Sequence, residues 1–436
     1  MVAGQEKYDT YKDSGQSWLG QVPTSWALLR NKALFKEQTA AVGKLSKDYK
    51  LLSLTLGGVI PRDMENPKGK FPAEFDTYKK VAPDDLVFCL FDVAETPRAV
   101  GRADEAGMIT GAYTILRADP SVNSRYLTYY YLSLDYDKRL GSLYTGLRNV
   151  IKIDTFMSIR TPIPDLDTQN RIVSFLDEKT AEIDAAIEKK RRLIDLLNEQ
   201  KAILVNRAVT KGLNPDTPMK DNGVDWIGEI PAHWDVKRVK HFAEILPGYA
   251  FPSAKFSEAE TPVRLLRGIN INPSKVVWQE AVFWPEGEFD AHQRYALQTG
   301  DLVMGMDRPW VSSGVRVARI SDADLPALLV QRVARIRAND GYSNDFLELL
   351  ITSKLFLEYF EPILSGVSVP HISDSQIGNF TTAVPDFNEQ CAIAEYCRGI
   401  TSEYARLMGM EMASITTLNE FKQTLIANAV TGKIKI

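Results

Sequence analysis

The feature that most constrains this chain is a long internal repeat. The segment from Asp13 to Trp26 recurs from Asp221 to Trp234, 208 residues later, with Asp, Gly, Trp, Gly, Pro and Trp all in register. The chain contains only seven tryptophans among 436 residues, so two matched pairs in one frame indicate a duplication. A duplicated sequence predicts that the same structural unit is built twice.

The spacing between matched residues changes along the repeat. It is 216 residues between Asp85 and Asp301, and it is constant at 221 from Pro164 to Thr210. Surface loops tolerate insertions, whereas one extra residue in a packed helix rotates every later side chain by about 100°. Each half is therefore predicted to contain a variable globular module followed by a rigid helix.

Apolar residues recur at spacings of 3, 4 and 7 within each predicted helix, between charged segments. This stripe is typical of a coiled coil. Its residues are Ile172, Leu176, Ile183, Ile187, Ile194, Leu197 and Leu204 in the first helix, and Ile393, Cys397, Tyr404, Met408, Ile415, Leu418 and Leu425 in the second. A long helix with an exposed stripe is not stable alone, so we expect each helix to be the partner of the other.

The chain between the two helices favours antiparallel pairing. A compact module with adjacent termini begins and ends near one end of the helix pair, whereas parallel packing requires it to bridge the whole length. Pro164 and Pro385 precede the predicted helices, and Gly212 and Gly432 follow them, as helix boundaries require. Two internal glycines, Gly399 and Gly409, weaken the second helix.

The predicted fold class is α+β, with two similar globular modules separated by two long antiparallel helices. The modules mix β-rich segments at 51–56, 85–91 and 315–320 with helical segments at 126–140 and 346–364. The predicted domains are a first module at 1–163, a long helix at 164–212, a second module at 213–384 and a C-terminal long helix at 385–436.

Composition limits the possible functions. With 52 basic and 56 acidic residues the net charge is -4, which excludes a protein that coats nucleic acid by bulk charge but permits local basic faces. The three cysteines, Cys89, Cys391 and Cys397, cannot form a disulfide framework and are expected to be small buried residues. We find no apolar secretion segment at the N-terminus and no run of about 18 apolar residues, so we expect a cytoplasmic protein.

Catalytic and metal-binding motifs are not found in the sequence. It contains no phosphate-binding P-loop, no His-Glu-x-x-His and no paired Cys-x-x-Cys, and its four histidines are scattered. The segment from Asp307 to Trp310 resembles the Asp-Pro-Pro-Tyr/Trp tetrad of amino-group DNA methyltransferases. However, Arg308 replaces the first proline and no glycine-rich cofactor segment precedes it. We interpret this segment as a loop that reads a partner or as an ordinary turn, and we expect no catalytic residue and no bound metal.

The motif order resembles one protein family. The duplicated Asp-x-Gly-x-x-Trp-[Leu/Ile]-Gly-x-[Val/Ile]-Pro-x-x-Trp segment is similar to the opening of specificity (S, HsdS) subunits of type I restriction–modification systems. The Pro-Asp-x-x-x-Gln-x-x-Ile-x-x-[Phe/Tyr] segment and the long helix that ends in Ala-Val-Thr resemble the same family. The resemblance covers the whole chain.

The resemblance implies a function. In this family each module is a target recognition domain that reads one half of a bipartite, asymmetric DNA sequence, and the coiled coil sets the spacer between the halves. The subunit has no catalytic site and no cofactor of its own. Two modification subunits bring S-adenosylmethionine and methylate adenine N6, while restriction subunits add ATP-driven, Mg-dependent translocation and cleavage. The implied partners are double-stranded DNA and these subunits, with no membrane.

Candidate DNA contacts are polar and aromatic residues in loop-like stretches, because arginine can pair with guanine and asparagine with adenine. In the first module they are Arg62, Lys68, Lys70, Lys79, Lys80, Arg98, Arg102, Arg148 and Lys152. In the second they are Arg264, Arg267, Asn270, Asn272, Lys275, Arg294, Arg308, Trp310, Ser312, Ser313 and His371. Each could instead be an ordinary solvated side chain.

Two other functions remain open from the residues alone. The chain could be a duplicated coiled-coil scaffold that does not read DNA, or a methyltransferase that needs no partner. The four matched tryptophans, Trp18, Trp26, Trp226 and Trp234, are expected to pack in the core or between module and helix rather than on bases.

Overall fold

The computed structural model describes residues 6–63, 74–144, 149–224, 226–257, 262–311, 314–364 and 370–436. The chain divides into two compact units. Unit 1 consists of Met1–Arg192 with Glu411–Ile436, and unit 2 consists of Leu193–Met410. Each unit therefore contains one predicted module and a part of each long helix. No helix among the described residues is both long enough and apolar enough to cross a membrane.

Unit 1 is a mixture of short strands and helices. The strands are β1 (Tyr11–Asp13), β2 (Gln21–Pro23), β3 (Ala27–Arg30), β4 (Phe35–Gln38), β5 (Leu52–Thr55), β6 (Gly58–Pro61), β7 (Lys79–Val81), β8 (Leu86–Phe88), β9 (Val100–Arg102), β10 (Gly107–Ile109), β11 (Thr114–Ala118) and β12 (Arg160–Ile163). The helices are α1 (Asn31–Leu34), α2 (Ser124–Tyr136), α3 (Ile153–Ser158) and the start of α4 (Leu166–Lys211), with 3-10 turns at Gly43–Asp48 and Arg139–Leu143.

Unit 2 repeats this mixture with additional strands. They are β13 (Met219–Lys220), β14 (Ile230–Pro231), β15 (Asp235–Arg238), β16 (Ala243–Pro247), β17 (Val263–Leu266), β18 (Ile271–Asn272), β19 (Lys275–Val276), β20 (Phe283–Trp284), β21 (Leu302–Gly305), β22 (Trp310–Val311), β23 (Gly314–Val315), β24 (Val317–Arg319), β25 (Ala327–Leu329), β26 (Val333–Ala338) and β27 (Thr381–Val384). The helices are α5 (Asn344–Ile351), α6 (Lys354–Leu364), α7 (Asp374–Asn379) and α8 (Phe387–Val430), whose C-terminal part belongs to unit 1.

Each unit contains its own central four-stranded sheet, and the two sheets have the same topology. The antiparallel strand order is β4-β11-β8-β9 in unit 1 and β16-β26-β21-β24 in unit 2. The same ion pair, with a buried carboxylate and a partly exposed arginine, joins the two middle strands. Arg117 donates two hydrogen bonds of 2.8 and 3.0 Å to Asp85, and Arg337 donates two of 2.6 and 2.9 Å to Asp301. The predicted α+β class and the internal repeat are confirmed.

A repeated glutamine attaches each module to the start of a long helix. The Gln169 side chain accepts a hydrogen bond from the Asn123 N–H and donates one to the Pro164 carbonyl, each at 2.9 Å. Gln390 does the same with the Ser343 N–H at 2.9 Å and the Pro385 carbonyl at 2.8 Å. Because both glutamines are buried, their amides satisfy backbone groups that water cannot reach.

The long helices α4 and α8 contain 46 and 44 residues and run antiparallel within each unit. In unit 1, Asp184 pairs with Lys422 at 2.6 Å and Lys190 with Glu411 at 2.8 Å. Residue numbers therefore increase along α4 where they decrease along α8, as in an antiparallel pair. In unit 2, Ala208 and Val209 near the end of α4 share a core with Ile393 and Cys397 near the start of α8.

The predicted stripe residues all lie on buried or half-buried positions of these helices. The buried ones are Ile172, Leu176, Ile183, Ile187, Ile393, Cys397, Ile415 and Leu425. The half-buried ones are Ile194, Leu197, Leu204, Tyr404, Met408 and Leu418. The apolar stripe therefore follows the inner side of each helix.

Three sequence expectations are wrong in detail. The segment 346–364 forms two helices rather than one, because Ser353 turns its hydroxyl to the Leu350 carbonyl and accepts from the Phe356 N–H, which ends one helix and begins the next. Trp226 is 43% exposed and contacts Tyr359, unlike the buried Trp26 and Trp234 and the half-buried Trp18. Cys391 is exposed, since it lies on the outer side of α8, whereas Cys89 and Cys397 are buried.

The two glycines inside α8 give a stability prediction. A methyl group at Gly399 or Gly409 meets no described neighbour within 4 Å. Alanine loses less backbone entropy than glycine on folding, so Gly399→Ala and Gly409→Ala should each raise the free energy of unfolding by about 0.5–1 kcal/mol. Urea denaturation of the full chain, followed by circular dichroism, measures the change.

Gly432→Ala is the matched opposite case. Gly432 has φ +70°, and an added Cβ would lie 2.4 Å from the Pro23 ring. This variant should be less stable than the wild-type chain. A loss of stability in the two α8 variants would show that these glycines are required where they stand.

Candidate nucleic-acid interface

A loop of the same backbone geometry follows the third strand of the central sheet in both units. In unit 1 it follows β8, where the Asp92 N–H donates to the Asn149 carbonyl at 2.7 Å and the Ile151 N–H donates to Leu90 at 2.7 Å. In unit 2 it follows β21, where the Arg308 N–H donates to the Pro370 carbonyl at 2.7 Å.

Other features of the loop match as well. In unit 2 the Ile372 N–H donates to the Met306 carbonyl at 2.9 Å, which matches the bond from Ile151 to Leu90 in unit 1. Isolated β-bridges join Phe91 to Val150 in unit 1 and Asp307 to His371 in unit 2. Asp92 and Arg308 both adopt the left-handed region, with φ +45° and +46°. We call Phe91, Asp92, Asn149 and Val150 the first tip, and Asp307, Arg308, Pro370 and His371 the second tip.

The second tip is charged. The Asp307 carboxylate accepts a hydrogen bond from the Arg332 guanidinium at 2.8 Å, and its other oxygen lies 2.6 Å from His371 Nδ1. Partial burial acts to raise the pKa of Asp307, but the hydrogen bonds from His371 and Arg332 outweigh it and hold the pKa below its usual value. Asp307 is thus an anion that fixes two neighbouring side chains.

A half-buried arginine supports the backbone of the second tip. The Arg316 guanidinium donates to the backbone carbonyls of Ile271 at 3.0 Å and Asp307 at 2.9 Å, and also to that of Gly268. A cleft of about 630 Å³ opens beside it, and its polar lining includes Arg267, Gln331 and Arg332. Three arginines in one cleft suit an anionic or electron-rich ligand.

The bridging pair of the first tip, Phe91 and Val150, is apolar. The Phe91 ring stacks on Tyr113 with ring centroids 6.1 Å apart and planes at 14°. An adjacent cleft of about 540 Å³ is lined by Tyr113, Leu54, Leu56 and Arg98. Arg98 pairs with Asp135 at 3.4 Å and lies over the Tyr136 ring. The same backbone therefore presents different chemistry in the two units.

The other candidates of unit 1 occupy several positions. Lys79 donates to the Tyr113 carbonyl at 2.8 Å, Lys80 lies over the Tyr49 ring, and Arg102 pairs with Asp84 and Asp104. Arg62 follows β6 and is half-buried, and Lys152 is exposed just before α3. Lys68, Lys70 and Arg148 lie outside the described residues.

In unit 2 the tip collects only some of the candidates. Arg308 and His371 belong to it, and the half-buried Trp310 and Arg267 lie beside it, in the adjoining strand and in the cleft. Asn270 is buried, and its amide binds the backbone of Arg267 and Val277, each at 3.0 Å.

The remaining candidates of unit 2 are elsewhere. Arg264 lies over the Trp278 ring, Asn272 and Lys275 form a strand pair, and Arg294 is exposed in a 3-10 turn. Ser312 and Ser313 lie outside the described residues. Contact with DNA stays a prediction for every candidate in both modules.

Sequence reasoning did not select Arg332, Gln331 or Arg316. Gln331 and Arg332 connect β25 to β26, two apolar strands. Two polar residues between apolar runs are a signal for an exposed turn, but nothing in the sequence places that turn beside Asp307.

Within the described ranges, no three or more His, Cys, Asp or Glu side chains are grouped as metal ligands.

Comparisons with known proteins identify relatives of this two-module chain. No family model matches the chain. A type I restriction enzyme specificity subunit (MjaVIII) of Methanocaldococcus jannaschii is 28% identical over 293 residues, which cover 67% of this chain and 66% of that protein. The EcoAI specificity subunit of Escherichia coli is 34% identical over 192 residues, which cover 44% of this chain and 32% of that protein. The alignments thus span less than two thirds of either relative's length.

A solved structure shows a similar fold. It comes from work on complex assembly and conformational transition of the type I restriction–modification system, and it aligns with 95% of this chain and 99% of its own chain. The TM-score is 0.65 at 15% sequence identity, so the likeness concerns the fold. The resemblance inferred from the sequence is confirmed, because the curated relatives are type I restriction enzyme specificity subunits.

The lowered pKa of Asp307 gives a pH prediction. Its pKa is lower in the folded chain than the value of about 3.9 in an unfolded chain, so its stabilisation is fully present above about pH 4 and is lost as the pH falls through the folded pKa. Asp307→Asn should cost on the order of 1 kcal/mol at neutral pH, discounted for partial exposure. Urea denaturation from pH 7 to pH 3 should show this difference shrinking in acid.

Asp340→Asn is the control for this experiment. Asp340 is exposed and forms no hydrogen bond or ion pair within the described part of the chain. This variant should follow the wild-type curve at every pH. A constant difference between wild type and Asp307→Asn down to pH 3 would contradict the role of the carboxylate charge.

Proposed function

We propose that this protein is the non-catalytic DNA sequence-specificity subunit of a type I restriction–modification complex. The observation that carries the proposal is the pair of loop tips. Their backbone hydrogen bonds and left-handed residues match, while their side chains differ. Two modules that read two different base sequences need the same backbone arrangement with different side chains.

Each module reads one half of a bipartite, asymmetric DNA target. The helix pair sets the number of unread base pairs between the halves and docks two methyltransferase subunits. Support comes from the continuity of α4 and α8, each of which passes from one compact unit into the other. The specificity subunits among the curated relatives support the same role.

The complex supplies what this chain lacks. The methyltransferase subunits bind S-adenosylmethionine and methylate adenine, and restriction subunits, when they join, use ATP and Mg. These partners can also provide much of the phosphate contact, so a subunit with a net charge of -4 is compatible with DNA binding. We place the protein in the cytoplasm together with its DNA target.

A module exchange tests the proposal. Residues up to Ile163 are replaced by the corresponding module of a specificity subunit with a known target, and the chimaera is expressed with the partner methyltransferase. Single-molecule sequencing of methylated adenines should show that one half of the target changes, while the other half and the spacer are retained. The exchange boundary is suitable because α4 begins at Leu166, after Pro164.

The reciprocal exchange of residues 213–384 is the matched control, and it should change the other half only. A change in both halves after one exchange would contradict modular reading. If the complex of wild-type chain and methyltransferase shows no sequence-dependent, salt-sensitive DNA binding, the chain is a scaffold instead.

A further inference from the structure

Arg308 in the second tip and Arg332 beside it have side chains with spare hydrogen-bond donors. The Arg332 side chain is 70% exposed and forms one hydrogen bond, to Asp307, so its other N–H groups have no partner within the described ranges. The exposed Arg308 side chain forms no hydrogen bond or ion pair with any described residue. The protein therefore holds unused guanidinium donors at this surface.

Arg332 is held in place by its backbone as well as by its side chain. Its carbonyl accepts a hydrogen bond from the Met306 N–H at 2.9 Å, and the preceding Gln331 N–H donates to the Tyr249 carbonyl at 2.8 Å. Its φ of +67° is a conformation that non-glycine residues adopt rarely and that surrounding contacts must enforce. The turn thus fixes the backbone of Arg332, and the Asp307 carboxylate fixes the direction of its guanidinium group.

We propose that Arg332, oriented by Asp307, is a base-reading side chain of the second module and that it recognises guanine. This inference rests on the proposed function. Guanine offers two acceptors, O6 and N7, in the major groove, and the fork of an arginine matches both. An arginine that is already oriented by a carboxylate loses less side-chain freedom when it binds a base.

The first tip supports the assignment by contrast. Its equivalent positions carry Phe91 and Val150 where the second tip carries Asp307 and His371, and Phe91 packs on Tyr113. The Phe91 and Val150 side chains can contact a thymine methyl group but carry no donor for guanine. The Asp307 carboxylate that orients Arg332 thus has no counterpart at Phe91, the equivalent position of the first tip.

The test uses the complex of full chain, partner methyltransferase and DNA. The target is first read from the methylated adenines, and the half-site of the second module is identified by the module exchange. Binding is then measured for the target and for duplexes in which each base pair of that half-site is replaced in turn. The variants are Arg332→Ala, Arg332→Lys and Asp307→Asn.

The wild-type complex should lose affinity about 5- to 150-fold when one particular guanine is replaced. Arg332→Ala should abolish that discrimination at this one position and leave the other positions unchanged. Arg332→Lys should lose most of it, because an ammonium group cannot form the two parallel hydrogen bonds. Asp307→Asn should weaken discrimination at the same position, as expected for a positioning residue.

Arg406→Ala is the matched control in unit 2. Arg406 is exposed and paired with one carboxylate, that of Glu403, but it lies on α8. This variant should keep the wild-type discrimination at every position.

Two other results would overturn the inference. A uniform loss of affinity for all duplexes with Arg332→Ala would identify a phosphate contact, and unchanged discrimination at every guanine would show that Arg332 reads no base. Both leave the proposed function intact, since the wild-type complex still prefers its target. If the wild-type complex shows no preference among the duplexes, the proposed function itself fails.

Discussion

The structure depends on how the end of a long helix closes each module. In unit 1 the end of α8 packs on the Pro-x-x-Trp segment, so that a Cβ on Gly432 would lie 2.4 Å from Pro23 and 3.3 Å from Trp26. In unit 2 the end of α4 packs in the same way, and the Cβ position of Gly212 is 3.4 Å from Trp234. Both tryptophans are buried, so these contacts complete the two cores.

This closure explains why the helical part of the repeat has a constant spacing. The end of α8 completes the first module and the end of α4 completes the second, while α4 begins at the first module through Gln169 and α8 begins at the second through Gln390. An insertion inside either helix would shift one end relative to the other by about 1.5 Å and rotate it by about 100°. Both attachments cannot then be satisfied, whereas a loop insertion in a module disturbs neither.

The sequence was informative where a periodic or repeated pattern reflects a packed surface. The stripes of α4 and α8, their boundaries near Pro164 and Pro385, and the duplication were therefore predictable. The helix break near Ser353 was not predictable, because the hydrogen bond from the Ser353 hydroxyl to the Leu350 carbonyl ends the helix within a segment rich in apolar residues. The proximity of Arg332 to Asp307 was not predictable either, since it depends on how β25 and β26 meet the loop after β21.

The carboxylates beside the exposed arginines have a physical consequence for recognition. Ion pairs at a surface contribute little to stability, so exchanging such a partner for DNA costs little free energy. A carboxylate nevertheless fixes the direction of the guanidinium before DNA arrives, and it repels phosphates that approach in the wrong place. In the proposed role of Arg332, Asp307 favours a base edge over the DNA backbone, which lowers affinity for random sequence and raises the contrast between right and wrong targets. The net charge of -4 is consistent with the proposed division of roles, in which partner subunits supply the phosphate contacts.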